Sequence, residues 1–116
     1  MAALLQDQPE TTGVMVWNDL AAWGAYQTAI AAGRRIPADL SIICFDQSNI
    51  LNLVPFRPTV VDVRPEEMSR RAAEMLLAIL AGESEGEGIL LDTGFIEGET
   101  SGAAPQATQH SQSPNP

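Results

Sequence analysis

The stretch 14–46 constrains the fold most, because strand, helix and strand signals follow one another there without a break. Val14-Met15-Val16-Trp17 and Leu40-Ser41-Ile42-Ile43-Cys44-Phe45 are short apolar runs rich in β-branched and aromatic residues. That pattern predicts strands buried on both faces of a parallel sheet. Between them, 20–32 is rich in alanine and reads as a helix. A helix joining two strands of like direction is a βαβ unit, whose crossover is almost always right-handed. The polar residues that end the strands, Asn18 and Asp19 on the first and Asp46 and Gln47 on the second, then lie at one edge of the sheet. In open α/β sheets that carboxyl edge is where ligands bind, so it nominates this polar cluster as a candidate site.

Within the central helix Asp19 is expected as N-cap and Gly33 as the stop, with Pro37 just beyond. Leu20, Trp23, Gln27 and Ile30 or Ala31 share one stripe, expected to pack on the sheet. Tyr26 and Gly24 lie elsewhere on the helix surface, which leaves them open to a partner. The pattern is irregular over 48–58, where Leu51, Leu53, Val54 and Phe56 surround Pro55 and suggest a short helical turn and then a loop. A strand follows at 59–63. Pro65, Glu66 and Glu67 open a second helix, whose stripe is Met68, Ala72, Met75, Leu76 and Ile79 and whose stop is Gly82. An acidic turn at 83–88 leads to a weaker strand signal over 89–96. Ala2 to Leu5 read as helix, stopped near Pro9. The chain thus divides into a helix remnant and loop (1–12), an α/β body (13–101) and a tail (102–116) rich in Ala, Pro, Gln and Ser and expected to be disordered.

The charge narrows the function. Six arginines, no lysine and fifteen carboxylates give a net charge of −9, which argues against direct DNA binding by this segment, since duplex binding draws on many cationic contacts. Cys44 is the sole cysteine and His110 the sole histidine. Cys44 sits inside a strand pattern and reads as a buried thiol of a reducing compartment, while His110 stands in the tail without a companion ligand. No catalytic, metal or cofactor site is expected. An Asp19–Asp46 acid and base pair is the one enzymatic reading available, and helix capping and ligand binding require fewer assumptions. No stretch approaches membrane-spanning length and the start lacks the features of a secretory signal, so a cytoplasmic protein is expected. An Asn amide donates and accepts while an ionised Asp accepts from two directions, a combination suited to adjacent hydroxyl groups on a small polyol. Trp17 could offer a sugar ring an apolar face, although burial in the sheet is the simpler expectation.

The run Asn18-Asp19-Leu20-Ala21-Ala22-Trp23-Gly24-Ala25, with Ala31-Ala32-Gly33, Ile36-Pro37-Ala38-Asp39-Leu40-Ser41 and Phe45-Asp46, resembles the C-terminal part of LacI/GalR-type transcriptional regulators. Pro58-Thr59-Val60-Val61 is similar to that family's Leu-Thr-Thr-Val run, and Glu66-Glu67-Met68-Ser69-Arg70-Arg71-Ala72-Ala73 to the helix after it. The resemblance covers roughly 13–101 and departs at Gly98, where the family usually has an arginine. It implies a partial three-layer α/β fold, the C-terminal portion of a two-lobed periplasmic-binding-protein-like domain whose other lobe and helix-turn-helix headpiece lie upstream. It also implies a sugar or polyol effector contacted at the positions of Asn18 and Asp46, a homodimer, and transcription regulation as the function. A sugar-binding transport protein of similar fold and a ligand-free interaction fragment remain as alternatives.

Overall fold

The computed structural model describes residues 1–46 and 55–105. The elements are α1 (Ala2–Asp7), β1 (Gly13–Val16), α2 (Asp19–Ala31), β2 (Ser41–Phe45), β3 (Thr59–Asp62), α3 (Pro65–Leu80) and β4 (Gly94–Ile96). The strands form a four-stranded sheet in the order β1-β2-β3-β4. β1 and β2 pair in parallel, as do β2 and β3, and β4 closes the sheet antiparallel to β3. The α/β class, with a mostly parallel sheet, is the one expected. Gln47, the turn expected around Leu51, Leu53 and Val54, and the part of the tail that holds His110 lie outside the described residues.

The helix stops follow the expected chemistry. Gly33 (φ 76°) and Gly82 (φ 73°) adopt the left-handed conformation just past α2 and α3, which glycine reaches without a Cβ penalty. Beyond them Arg34 N donates to Ala29 O and Glu83 N to Ala78 O, and each bond satisfies a helix carbonyl left over in the last turn. At the start of α2 the expectation shifts by one residue. The N-cap is Asn18, whose side chain accepts from Ala21 N at 2.8 Å, while Asp19 is the first helical residue and is buried. Both are good caps by type, and extended backbone at Asn18 (φ −153°, ψ 178°) puts its carbonyl amide in reach of the first turn.

The face of α2 on the sheet is also corrected. Ala22, Ala25 and Ala29 are buried against β1 and β2, and Leu20 and Ile30 are exposed. α2 is apolar on all sides, so hydrophobicity alone does not choose its face. The alanine row lets the helix backbone approach Ile42 and Cys44 closely, and that approach packs the core more densely than the larger side chains would. Trp23 and Tyr26 turn instead to Phe56, with Tyr26 stacked on Phe56 at 4.2 Å between centroids and Trp23 tilted on it at 5.8 Å. Tyr26 is thereby engaged within the chain.

Val14, Val16, Ile42, Cys44 and Val60 form the covered face of the sheet. Burial on both faces does not hold, because Met15 and Phe95 on the opposite face are exposed. None of the α3 residues is buried, and Met68, Leu76, Leu77 and Leu80 face outward. Two ion pairs at 2.6 and 2.7 Å, Arg35–Asp39 and Arg70–Glu74, sit on the surface, where such pairs contribute little. Asp39 nevertheless has its carboxyl held well below the usual range by hydrogen bonds from the Arg35 side chain and backbone.

The segment after β4 stitches the start of the sheet together. The Thr100 hydroxyl donates to Ile42 O at 2.6 Å and accepts from Thr59 N at 2.9 Å, so it bridges β2 and β3. Ile42 N donates in turn to Thr100 O, Gly98 N donates to the Thr59 hydroxyl, and Ser41 exchanges hydrogen bonds with Gly102. Thr59 and Thr100 are buried with their polar groups satisfied, as buried polar atoms require. A Cβ at Gly98 would land on the carbonyl oxygens of Arg57 and Pro58. That close backbone contact leaves no room for a side chain at this position. No helix of the described residues is long and apolar enough to cross a membrane.

Candidate ligand-binding site

The opposite end of the sheet is where the predicted polar residues meet. Val16 pairs with Cys44 and Cys44 with Val60, so the next row is Trp17, Phe45 and Val61. Beyond the paired rows Asn18 and Asp46 follow the carboxyl ends of β1 and β2, and Asp62 ends β3. Asp46 has φ 60°, a left-handed conformation that Asp adopts more readily than most residues. Its backbone N still donates to Val61 O at 3.3 Å, so the chain leaves the strand only at this residue and the carboxylate projects from the edge into solvent.

A concavity of about 430 Å³ opens there, lined by Trp17, Phe45, Asp46, Val63 and Met68. Its walls are almost wholly apolar and Asp46 supplies the charge, the composition of a small-molecule site with a few placed polar groups. A larger hollow of about 600 Å³ runs along the free edge of β1, past Val14, Met15 and Gly24. Another of about 570 Å³ lies between α3 and the acidic turn, at Arg71, Glu74 and Glu85. A smaller one of about 410 Å³ lies at Asp62, Arg64 and Glu67, beyond the end of β3. Position rather than size favours the Asp46 concavity, since its lining comes from the ends of β1, β2 and β3 together.

The two predicted residues fare differently. Asp46 lines the concavity. Asn18 stands on the same edge beside Trp17, yet its side-chain oxygen caps α2, so what it can offer a ligand is chiefly its amide N–H donors. Asp19 contributes charge rather than contact. It is buried, Leu20 N donates to its Oδ1 at 2.7 Å, and it helps raise the Cys44 thiol. Burial is the main cause of that rise, the Asp19 and Asp46 charges add to it, and the thiol is pushed up to about 11. The edge therefore carries negative potential and suits hydroxyl donors better than anions.

Phe45, Val63 and Met68 were not predicted as site residues, and Trp17 was the less expected of two readings. Trp17 is 82% exposed, contrary to the expected burial in the sheet. Parity is the signal that places it, because Val14 and Val16 face α2 and the residue after Val16 must face the other way.

The profile of the periplasmic binding protein-like domain matches residues 1–101. The chain belongs to that family. HTH-type transcriptional regulator GntR from Pseudomonas aeruginosa is 35% identical over 92 residues, which are 79% of this chain and 26% of that protein. A LacI family transcriptional regulator from Arthrobacter sp. FB24, solved in complex with lactose, superposes with a TM-score of 0.75 at 28% identity, over 87% of this chain and 38% of that one. The CelR–cellobiose complex superposes with a TM-score of 0.76 at 27% identity, over 84% and 30%. This LacI-like chain corresponds to part of an effector-binding domain, and it spans about a quarter of the length of the curated relatives it matches. Those relatives are transcriptional regulators rather than enzymes.

Proposed function

We propose that this chain is part of the effector-binding module of a cytoplasmic LacI-type transcriptional regulator and takes a sugar or small polyol at the Asp46 edge. The observation that carries the reading is the placement of Asp46 over an apolar concavity where three parallel strands end. Two neighbours of the same fold were solved with lactose and cellobiose, which supports a carbohydrate here. DNA contact falls to another segment of the longer protein, as the net charge of −9 suggests. The bare apolar side of α3 is consistent with a second lobe that covers it, and a homodimer completes the reading. That same bare surface favours, as a second reading, an interaction fragment that binds protein and no ligand.

Role separates the two edge carboxylates. Removing the Asp46 side chain withdraws a charged acceptor from ligand hydroxyls, about 1.5–3 kcal/mol or roughly ten- to 150-fold in affinity. Asp19 is buried in α2, so its removal lowers stability first. Calorimetric titration of Asp46→Ala and Asp19→Ala against a sugar panel, with thermal melts alongside, tests the assignment. Equal affinity for wild type and Asp46→Ala removes Asp46 from the site.

A further inference from the structure

We propose that two copies of this chain pair reciprocally, the apolar stripe of α3 from each copy lying across the open face of the other's sheet. The inference rests on the second reading above, an interaction fragment, and names its partner as a second copy of the chain. α3 has no buried residue, yet its surface is sorted. Ala73, Leu76, Leu77 and Leu80 recur at the spacing of one helical stripe, and the three leucines are 56%, 67% and 75% exposed. The other side holds Glu67, Arg70, Arg71 and Glu74, which pair among themselves. A helix of 16 residues is marginal alone in water and draws most of its stability from packing such a stripe.

The sheet carries the complementary surface. α1 and α2 pack on the side of Val14, Val16, Ile42, Cys44 and Val60. On the other side the register sets Met15 beside Ile43, and Phe45 beside Val61 and Phe95, an apolar face on which Met15 is 61% and Phe95 63% exposed. A helix of this length, about 24 Å, spans four strands spaced about 4.8 Å apart, and a mostly parallel sheet takes helices on both faces. The chain's own α3 does not supply that layer. Only Val63 and Arg64 join it to β3, and Arg64 N is held by Asp62 Oδ1 at 2.9 Å, so the helix leaves the sheet at its carboxyl edge. A second copy supplies the stripe and receives the same in return, a closed two-fold pair. None of these contact residues is charged, so two chains of net charge −9 meet there without bringing carboxylates together. The exposed parts of the five large side chains amount to roughly 700 Å² per copy, or about 1,400 Å² for the pair, within the range of stable specific interfaces.

Light scattering on the full chain across a wide concentration range tests this, with circular dichroism to check folding. Wild type is expected to be a dimer. Leu77→Glu keeps a good helix former and Phe95→Thr keeps a strand former, so both variants are expected to stay folded, and each is expected to raise the dimer dissociation constant roughly tenfold or more. A dimer split by Leu77→Glu and untouched by Phe95→Thr pairs α3 with α3 and overturns the exchange. The converse pattern, or a dimer indifferent to both changes, overturns it equally. Assembly that grows beyond two copies overturns the closed pair. A wild-type monomer that binds an apolar dye strongly overturns self-pairing and leaves the interaction reading standing, whereas a monomer silent to the dye covers its own stripe and overturns both.

Discussion

Thr100→Val replaces a buried hydroxyl by a methyl of nearly the same volume, so its effect isolates the clip between β2 and β3. In the native chain that hydroxyl accepts from Thr59 N at 2.9 Å and donates to Ile42 O at 2.6 Å. Both Thr59 and Thr100 are at most 1% exposed, so water cannot replace the lost partner. A buried donor stripped of its acceptor costs about 1–3 kcal/mol, whereas a carbonyl that keeps a second lone pair loses less. The expected destabilisation is therefore about 2 kcal/mol. For a domain of this size that lowers the melting midpoint by roughly 8–16 °C. Thr100→Ser retains the hydroxyl and should lose only the contribution of one methyl group, about 1 kcal/mol. Circular dichroism melts of the two variants decide the matter. A valine variant as stable as wild type, or less damaged than the serine variant, refutes the clip as a source of stability.

Three further outcomes follow from single contacts. Gly98→Ala forces a Cβ onto the backbone carbonyls of Arg57 and Pro58, and urea denaturation should show a loss of about 1–3 kcal/mol from that overpacking. Asn18→Asp keeps the oxygen that caps α2 and removes the amide donors, so melts should stay near wild type, whereas Asn18→Ala should lose about 1 kcal/mol. The Cys44 thiol is raised from 9.0 to about 11, so folding favours its protonated form. That contribution is complete below pH 9, where the unfolded thiol is also protonated, and is lost as pH rises through about 11. Cys44→Ser should flatten the fall in stability over that alkaline window, and the native thiol should alkylate far more slowly at pH 8 than the unfolded one.

Periodicity and stop signals carried the elements they could reach. Gly33, Gly82 and Pro65 punctuate the helices where local chemistry placed them, because a left-handed glycine or an N1 proline needs no distant partner. The face of α2 was not legible in the same way. Its large residues form a tempting stripe, but the alanine row wins because close backbone approach depends on what the sheet presents, and that is set by residues far along the chain. Apolar runs likewise could not reveal that the described residues leave Met15 and Phe95 exposed on one side of the sheet, since a strand's hydrophobicity does not record which layer covers it. Asp46 was legible from strand order, whereas Trp17 required the parity of β1. The clip through Thr100 had no local signal at all, because its partners lie 41 and 58 positions away.

The proposed ligand site of this LacI-like chain is the carboxyl edge of β1, β2 and β3. Mapping backbone and indole N–H shifts by NMR while the full chain is titrated with cellobiose or lactose tests it most directly. Saturable shifts are expected at Trp17, Asp46 and Val63, with the Arg35–Asp39 turn and the clip at Thr100 unmoved. Shifts that cluster instead along the free edge of β1 or around Arg71 and Glu85, or no saturable shift with either sugar, would contradict it.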